Sequence, residues 1–363
     1  MPSIPPTVTR TYAYVVGIDT HAATHTYAVI EAATGAAIDT ATFPTSAAGI
    51  TRATTWIARR THGLISDTLI SMEGTGSYGS RLAARLADHG YRVVEAPAAR
   101  RLRGHGKTDT IDALLAARGT NAMTLAELRD RRNGEQREAL QILTTAREQL
   151  NHDLLAAINA LTALLRRHDL GIDARKALSR RQVTTISAWR SRHEGLADQV
   201  ARAEAVRLAK RVVEMRQALR ENTTLLQEIV QDQAPQLLEL PGVGPVTAAT
   251  VLMVWSHPGR IRSEAAFASI AGTNPIPASS GNTVRHRLNR GGDRRLNHAV
   301  NTIAVVRMRM HPDTRAYVER RTAQGRTKAE IRRCLKRYVI RQLYRTLAAQ
   351  SDAQTTTPAL EAA

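Results

Sequence analysis

YAYVVGIDTHAATHTYAVIEAATGAAIDTATF, residues 12–43, decides the fold. Three apolar or β-branched runs, 12–18, 25–31 and 36–43, are separated by His-Ala-Ala-Thr and by a turn around Gly35, which predicts three successive antiparallel strands. Outward from this meander, the pattern predicts an amphipathic helix near 46–61, a strand at 67–72 and a helix near 78–89. A strand at 91–95 and a helix from about 109 to 118 follow.

Three strands followed by α-β-α-β-α is the order of an RNase H-like fold, an α/β class. In that arrangement Asp19, in Gly-Ile-Asp at 17–19, ends the central strand. Glu73, in Met-Glu-Gly-Thr-Gly at 72–76, ends the fourth, so adjacent strands present both at one sheet edge. Asp109 and Asp112, in Lys-Thr-Asp-Thr-Ile-Asp-Ala at 107–113, are three apart and share one face of a helix start. Four converging carboxylates suit Mg²⁺, which prefers oxygen ligands, and two such ions ~3.5–4 Å apart polarise a phosphate and stabilise its attacking and leaving oxygens. Read locally, the same acids are an N-cap at Asp109, a first-turn acid at Asp112 and solvated strand ends. Their joint occurrence in one domain of a strongly basic chain favours the metal site. His21 and His105 flank the quartet, but a lone His beside a site is more often a surface or packing residue, and neither is counted.

The chain has 363 residues, a formal net charge of +19 and a pI near 11.1, and its 43% hydrophobic content is ample for two or three cores. The charge is uneven: residues 241–349 hold 20 Arg and Lys against 5 Asp and Glu, a local net of +15. So concentrated an Arg-rich surplus fits phosphate neutralisation better than a solvated face, and nucleic acid is the expected partner. No apolar run approaches the roughly 20 residues of a spanning helix, so no membrane is expected. The single cysteine, Cys334, excludes an internal disulfide framework and cysteine-rich zinc sites and reads as a buried small hydrophobe.

From about 124 to 232 Gly and Pro almost vanish, and Leu140, Leu143, Leu150, Leu154, Ile158, Leu161 and Leu165 recur at three- and four-residue steps. A second seam, Val212, Met215, Leu219, Leu226 and Ile229, follows a break around 168–195, and Asn222 interrupts it at an inward position suited to fixing register or oligomer state. Next, Leu-Pro-Gly-Val-Gly-Pro at 240–245 resembles a helix-hairpin-helix element, in which Gly242 and Gly244 take positive φ and exposed amides hold a phosphate. An ordinary Gly-rich helix turn is the competing reading. Helices are expected near 296–310, 313–323 and 327–349.

Ser280 stands in Pro-Ile-Pro-Ala-Ser-Ser-Gly at 275–281, ahead of Arg285, Arg287, Arg290, Arg294 and Arg295. Alone, Ser-Ser-Gly reads as a turn. A serine attacks only where something takes its proton or where cations stabilise the developing charge. This loop has no internal base, so nucleophilic chemistry here requires the carboxylate site to approach.

Together these motifs resemble the DEDD transposases of bacterial insertion sequences, also called bridge-RNA-guided serine recombinases, over nearly the whole chain. The resemblance implies Asp19, Glu73, Asp109 and Asp112 as Mg²⁺ ligands and catalytic residues, and Ser280 as nucleophile; Ser279, one residue earlier, is the alternative. Lys107 and Arg285, Arg287, Arg290, Arg294 and Arg295 are the expected nucleic-acid contacts. Implied domains are a RuvC-like domain (11–122), a coiled-coil arm (123–234) and a C-terminal transposase domain (235–349), between a disordered arm (1–10) and a disordered tail (350–363) expected from the residues themselves. Implied partners are donor and target DNA, a structured bridge RNA, and further copies of the chain as homodimer and homotetramer, in a bacterial cytoplasm at the nucleoid. The 4% aromatic content agrees with base recognition being left largely to the RNA. The alternatives are a Mg²⁺-dependent junction nuclease using water, and a non-catalytic RNA- or DNA-binding scaffold.

Overall fold

The computed structural model describes residues 5–97, 108–131, 134–279, 286–287, 289 and 291–356. They belong to two compact units, Met1–Asn133 and Gly134–Ala363. The first begins with a short helix, α1 (Val8–Thr11), and the expected meander β1 (Tyr14–Thr20), β2 (Thr24–Glu31) and β3 (Ala37–Pro44). It continues through α2 (Ala47–Arg60), β4 (Thr68–Met72), α3 (Ser80–Asp88), β5 (Arg92–Glu95) and α4 (Asp109–Asn121). The sheet order is β3-β2-β1-β4-β5, antiparallel through the meander and parallel from β1 to β4 to β5. This mixed sheet with flanking helices is the architecture expected of an RNase H-like domain.

β1 takes the centre because it is apolar on both faces. Val16 and Ile18 pack with Ile50 and Ile57 of α2 and Leu82 and Leu86 of α3. Val15, one residue out of phase, packs on the opposite face with Leu69, Val94 and Ala117. β3 lies at an edge, and its burial alternates residue by residue. Ser46 caps α2 by accepting the Gly49 amide at 3.2 Å, and Ile50, Ala53 and Ile57 then recur on one face. Above them Tyr27, Phe43 and Trp56 meet edge to face with centroids 5.6–6.3 Å apart. Each large apolar side chain so buried is worth ~1.5–3 kcal/mol.

Gly17 sets how closely α4 approaches β1. A Cβ there would lie 2.0 Å from the Ala113 carbonyl oxygen and 2.5 Å from the Ala117 nitrogen. The helix answers with its own small face, Ala113, Ala116 and Ala117, and Ser71 of β4 donates to the Ala116 carbonyl at 3.0 Å. Helix and sheet are therefore in backbone contact.

The expected disordered arm differs over the residues described. Val8 is fully buried, its amide donating to the Met123 carbonyl, and Leu125 donates to the Pro6 carbonyl. An apolar valine with a matching backbone ladder is enough to dock this segment. The same contacts keep Met123, Leu125 and Leu128 with the first unit, so it extends beyond residue 122.

The second unit is helical: α5 (Glu135–Arg167), α6 (Arg180–Ser187), α7 (Leu196–Gln233), α8 (Pro235–Glu239), α9 (Pro245–Trp255) and α10 (Glu264–Ile270). A two-stranded pair, β6 (Ile276–Pro277) and β7 (His286–Arg287), precedes α11 (Arg294–Met310), α12 (Pro312–Ala323) and α13 (Lys328–Thr356). α5 and α7 run antiparallel, since Arg147 reaches the Leu219 carbonyl while Asn222 reaches that of Leu143. Asn222 is buried and also accepts from Arg147 at 3.3 Å, so it holds the register of two helices of one chain.

Residues 123–234 and 235–349 are not separate bodies. Leu140, Leu226 and Val230 share one core with Val251, Trp255, Leu296, Ile303, Val339 and Leu343, because the apolar stripes of α5 and α7 run on past the hairpin. Helix α13 continues to Thr356, so the expected tail is helical over 350–356. Cys334 is exposed, unlike the buried hydrophobe expected, because it sits off the Ile331–Leu335 face that packs on α11. In the two-glycine turn only Gly242 has positive φ (75°), and the Gly244 amide is taken by the Thr247 hydroxyl at 3.0 Å, so it is not free for phosphate.

Candidate metal centre and serine segment

Asp19 is the penultimate residue of β1, on the same face as Gly17 and therefore on the side covered by α4. Its side chain is only 10% exposed, and a buried carboxylate demands a cation or donors. His21 Nε2 lies 3.0 Å from Asp19 Oδ2 and 3.5 Å from Asp109 Oδ1. One ligating atom from each of Asp19, His21 and Asp109 falls within 4.8 Å of the others. Two carboxylate oxygens and an imidazole nitrogen at this spacing fit a divalent cation.

Asp109 reaches this point because Thr108, not Asp109, caps α4: the Thr108 hydroxyl accepts the Ile111 amide at 3.3 Å. Its carboxylate is thus not consumed in capping, and both first-turn acids benefit from the positive end of the helix dipole. Asp112 is half-buried one turn further on.

Glu73 directly follows β4. Its amide donates to the Ile18 carbonyl at 3.2 Å and its carbonyl accepts the Thr20 hydroxyl at 3.1 Å, which fixes it beside the end of β1. Gly74 turns the chain there at φ 63°, and a Cβ on it would meet the Thr20 hydroxyl at 2.7 Å. The Glu73 side chain is exposed, and neither it nor Asp112 belongs to the 4.8 Å group. The sequence reading set His21 aside. The missed signal was its spacing, because residues two apart in extended chain share a face. Buried His25, opposite Thr20 in the sheet, has its pKa pushed down by burial and then by His21, against the pull of Asp19.

In the second unit, Ile276 pairs with Arg287 and Pro277 with His286, so paired strands bracket residues 278–285. Ser279 is exposed. Ser280, with Lys107, Arg285 and Arg290, lies outside the described residues. Arg287 and Arg294 are exposed, and Arg295 is ion-paired with Glu148 at 2.7 Å. Asp293 caps α11 by accepting the Arg295 and Leu296 amides.

Two family descriptions match the chain: a DEDD transposase domain of the IS110 type over residues 16–169, and the Transposase IS116/IS110/IS902 family over residues 234–319. It is similar to the Insertion element IS110 uncharacterized 43.6 kDa protein of Streptomyces coelicolor, 35% identical over 117 residues, 32% of this chain and 29% of that protein. It is also similar to the Insertion element IS900 uncharacterized 42 kDa protein of Mycobacterium paratuberculosis, 27% identical over 296 residues, 68% of this chain and 74% of that protein. These matches make the chain similar to transposases of the IS110 type and to insertion-element proteins, and it spans less than a third of the length of the first of these relatives. The first matched domain contains Asp19, His21, Glu73, Asp109 and Asp112. No helix among the described residues is long and apolar enough to cross a membrane.

Proposed function

We propose that the chain is a Mg²⁺-dependent transposase that cuts and rejoins the ends of its own mobile element through a phosphoserine intermediate. The observation that carries this reading is the gathering of Asp19, His21 and Asp109 where α4 rests on the end of β1. Glu73, whose backbone bonds to Ile18 and Thr20 at the end of β1, and Asp112, one turn along α4, are the further acids of this reading. A divalent cation bound there supplies Lewis acidity at a phosphate and stabilises the oxygens entering and leaving it.

Ser280 attacks the scissile phosphate. Its Oγ–P bond forms as a P–O bond to deoxyribose breaks, the hydroxyl proton is released, and the freed sugar oxygen takes one up. A strand end later attacks the phosphoserine and regenerates the hydroxyl, so the number of phosphodiester bonds is conserved and no nucleotide triphosphate is consumed. Carboxylates and serine lie on different units, and the reading includes a composite site between copies of the chain in a dimer or tetramer. A structured RNA pairing with donor and target DNA provides sequence recognition, while the Arg-rich second unit contacts backbones.

The test is to trap a covalent protein–DNA adduct on element-end DNA in Mg²⁺. Loss of the adduct in Ser280→Ala but not in Ser279→Ala supports the reading. Unchanged cleavage by Ser280→Ala replaces serine with water as nucleophile, and binding without cleavage under any metal leaves a scaffold. RNA recovered with the purified protein and folding into loops that match the element ends supports the guide.

A further inference from the structure

The second unit contains a cavity of ≈ 550 Å³. Gly272–Pro275, Arg287 and Asn289, which flank the serine segment in the chain, line it together with residues at the end of α12 and along α13. Seven cationic side chains line this space, and Glu330 is the one acid among them. Glu264, outside the lining, takes Arg337 at 2.7 Å and Arg341 at 3.0 Å, and Glu330 lies 3.8 Å from Arg326. Among the described residues, no carboxylate is within ion-pair distance of Arg287, Arg321, Arg333 or Lys336. Lys336 is half-buried and donates to the neutral Asn297 Oδ1 at 2.7 Å. Burial, and then Arg332, push its ammonium below the usual lysine range, as expected of a cation without an anion.

One aromatic ring also lines the cavity. Tyr338 is 51% exposed, is held edge-on by Tyr317 with centroids 6.0 Å apart and planes at 84°, and has the Arg341 guanidinium over its ring at 5.8 Å from the centroid. An exposed ring already engaged by a guanidinium is an aromatic surface on which a base stacks by taking the place of Arg341, and in a chain with only 4% aromatics its position in a cationic cavity is informative. The volume falls in the class of small-ligand and nucleotide sites. A duplex keeps its bases stacked inside and cannot present one to a ring within such a concavity. A single strand presents phosphates and a free base together.

We infer that this cavity binds a single-stranded polynucleotide, with phosphates on Arg287, Arg321, Arg333 and Lys336 and one base stacked on Tyr338. This deepens the transposase reading and rests on it for the biological role: a strand end freed by cleavage is held on residues that flank the serine segment in the chain. The binding itself is measured without cleavage.

The experiment uses the full chain and fluorescence anisotropy with labelled eight-nucleotide dT, eight-nucleotide rU and a duplex of matched phosphate count, in the absence of divalent metal. Tyr338→Ala is expected to weaken one or both single strands on the order of 10-fold, within the range for loss of one stacked base, and to leave duplex affinity within about 2-fold. Tyr338→Phe retains binding. Arg333→Ala, at an exposed position, is expected to lower the salt slope for the single strand by about 0.7, the value for one phosphate contact. The dT and rU arms identify whether DNA or RNA is the occupant. Equal losses on single strand and duplex in Tyr338→Ala, or unchanged single-strand affinity in both variants, overturn the inference. Cleavage with unchanged single-strand binding refutes the cavity while leaving the transposase reading intact. Tyr338-dependent binding with no adduct under any metal does the reverse.

Discussion

Gly17→Ala tests whether backbone contact between α4 and β1 builds the metal centre. The new Cβ lies 2.0 Å from the Ala113 carbonyl oxygen and 2.9 Å from the Ala117 Cβ, both rigid parts of the helix. An ordinary carbon–oxygen contact is about 3.3 Å, so α4 must retreat by roughly 1.3 Å. Such overpacking costs ~1–3 kcal/mol, a fall of roughly 3–10 °C in the midpoint of a unit of this size. Asp109 moves with the helix, and its 3.5 Å approach to His21 opens beyond hydrogen-bond reach. Metal affinity is expected to drop on the order of 10- to 100-fold, the usual loss when ligand positioning fails. The assay pairs thermal unfolding with Mn²⁺ titration followed by electron paramagnetic resonance. Leu86→Ala, on the opposite face of the sheet, is the control: it destabilises by ~2–5 kcal/mol and leaves metal affinity unchanged. Wild-type metal affinity in Gly17→Ala, or equal loss in both variants, would refute the reasoning.

His21→Ala is expected to lower Mn²⁺ affinity about 10-fold and Mg²⁺ affinity less, because imidazole suits the softer ion; isothermal titration with each metal checks it, and equal changes exclude the ligand role. Asn222→Leu removes bonds to the Leu143 carbonyl and Arg147 within the α5–α7 hairpin and is expected to cost ~1–3 kcal/mol in urea unfolding; a neutral or stabilising result excludes Asn222 as the register clamp. Burial pushes the Glu264 carboxyl up, but hydrogen bonding and charge from Arg341 and Arg337 outweigh it and hold its pKa below the usual carboxylate range. Its contribution to stability is therefore complete above the unfolded value near 4.3 and drains away as pH falls through the lowered folded value. Glu264→Gln is expected to be less stable than wild type at pH 7 and to converge with it in acid, as followed by circular dichroism.

The amino-acid sequence by itself determined the element order, because alternation in the meander and the three- and four-residue steps of the helices are written locally. Within two or three residues, β1 to α4 lie where periodicity places them. It also marked Asp19 and Glu73 as neighbours, since parallel β1 and β4 end together. Tertiary structure decided what depends on contact between distant segments. Whether Asp109 reaches Asp19 turns on Gly17 meeting the Ala113 carbonyl, and whether its carboxylate is free turns on Thr108 taking the cap. His21 joined the site only when the end of β1 and the start of α4 were brought together. The helical hairpin merged with the C-terminal helices because apolar stripes specify that a face must be covered, not by which partner. The cationic cavity is likewise a tertiary product: charge along a chain states how many arginines there are, and only packing states which of them an acid neutralises.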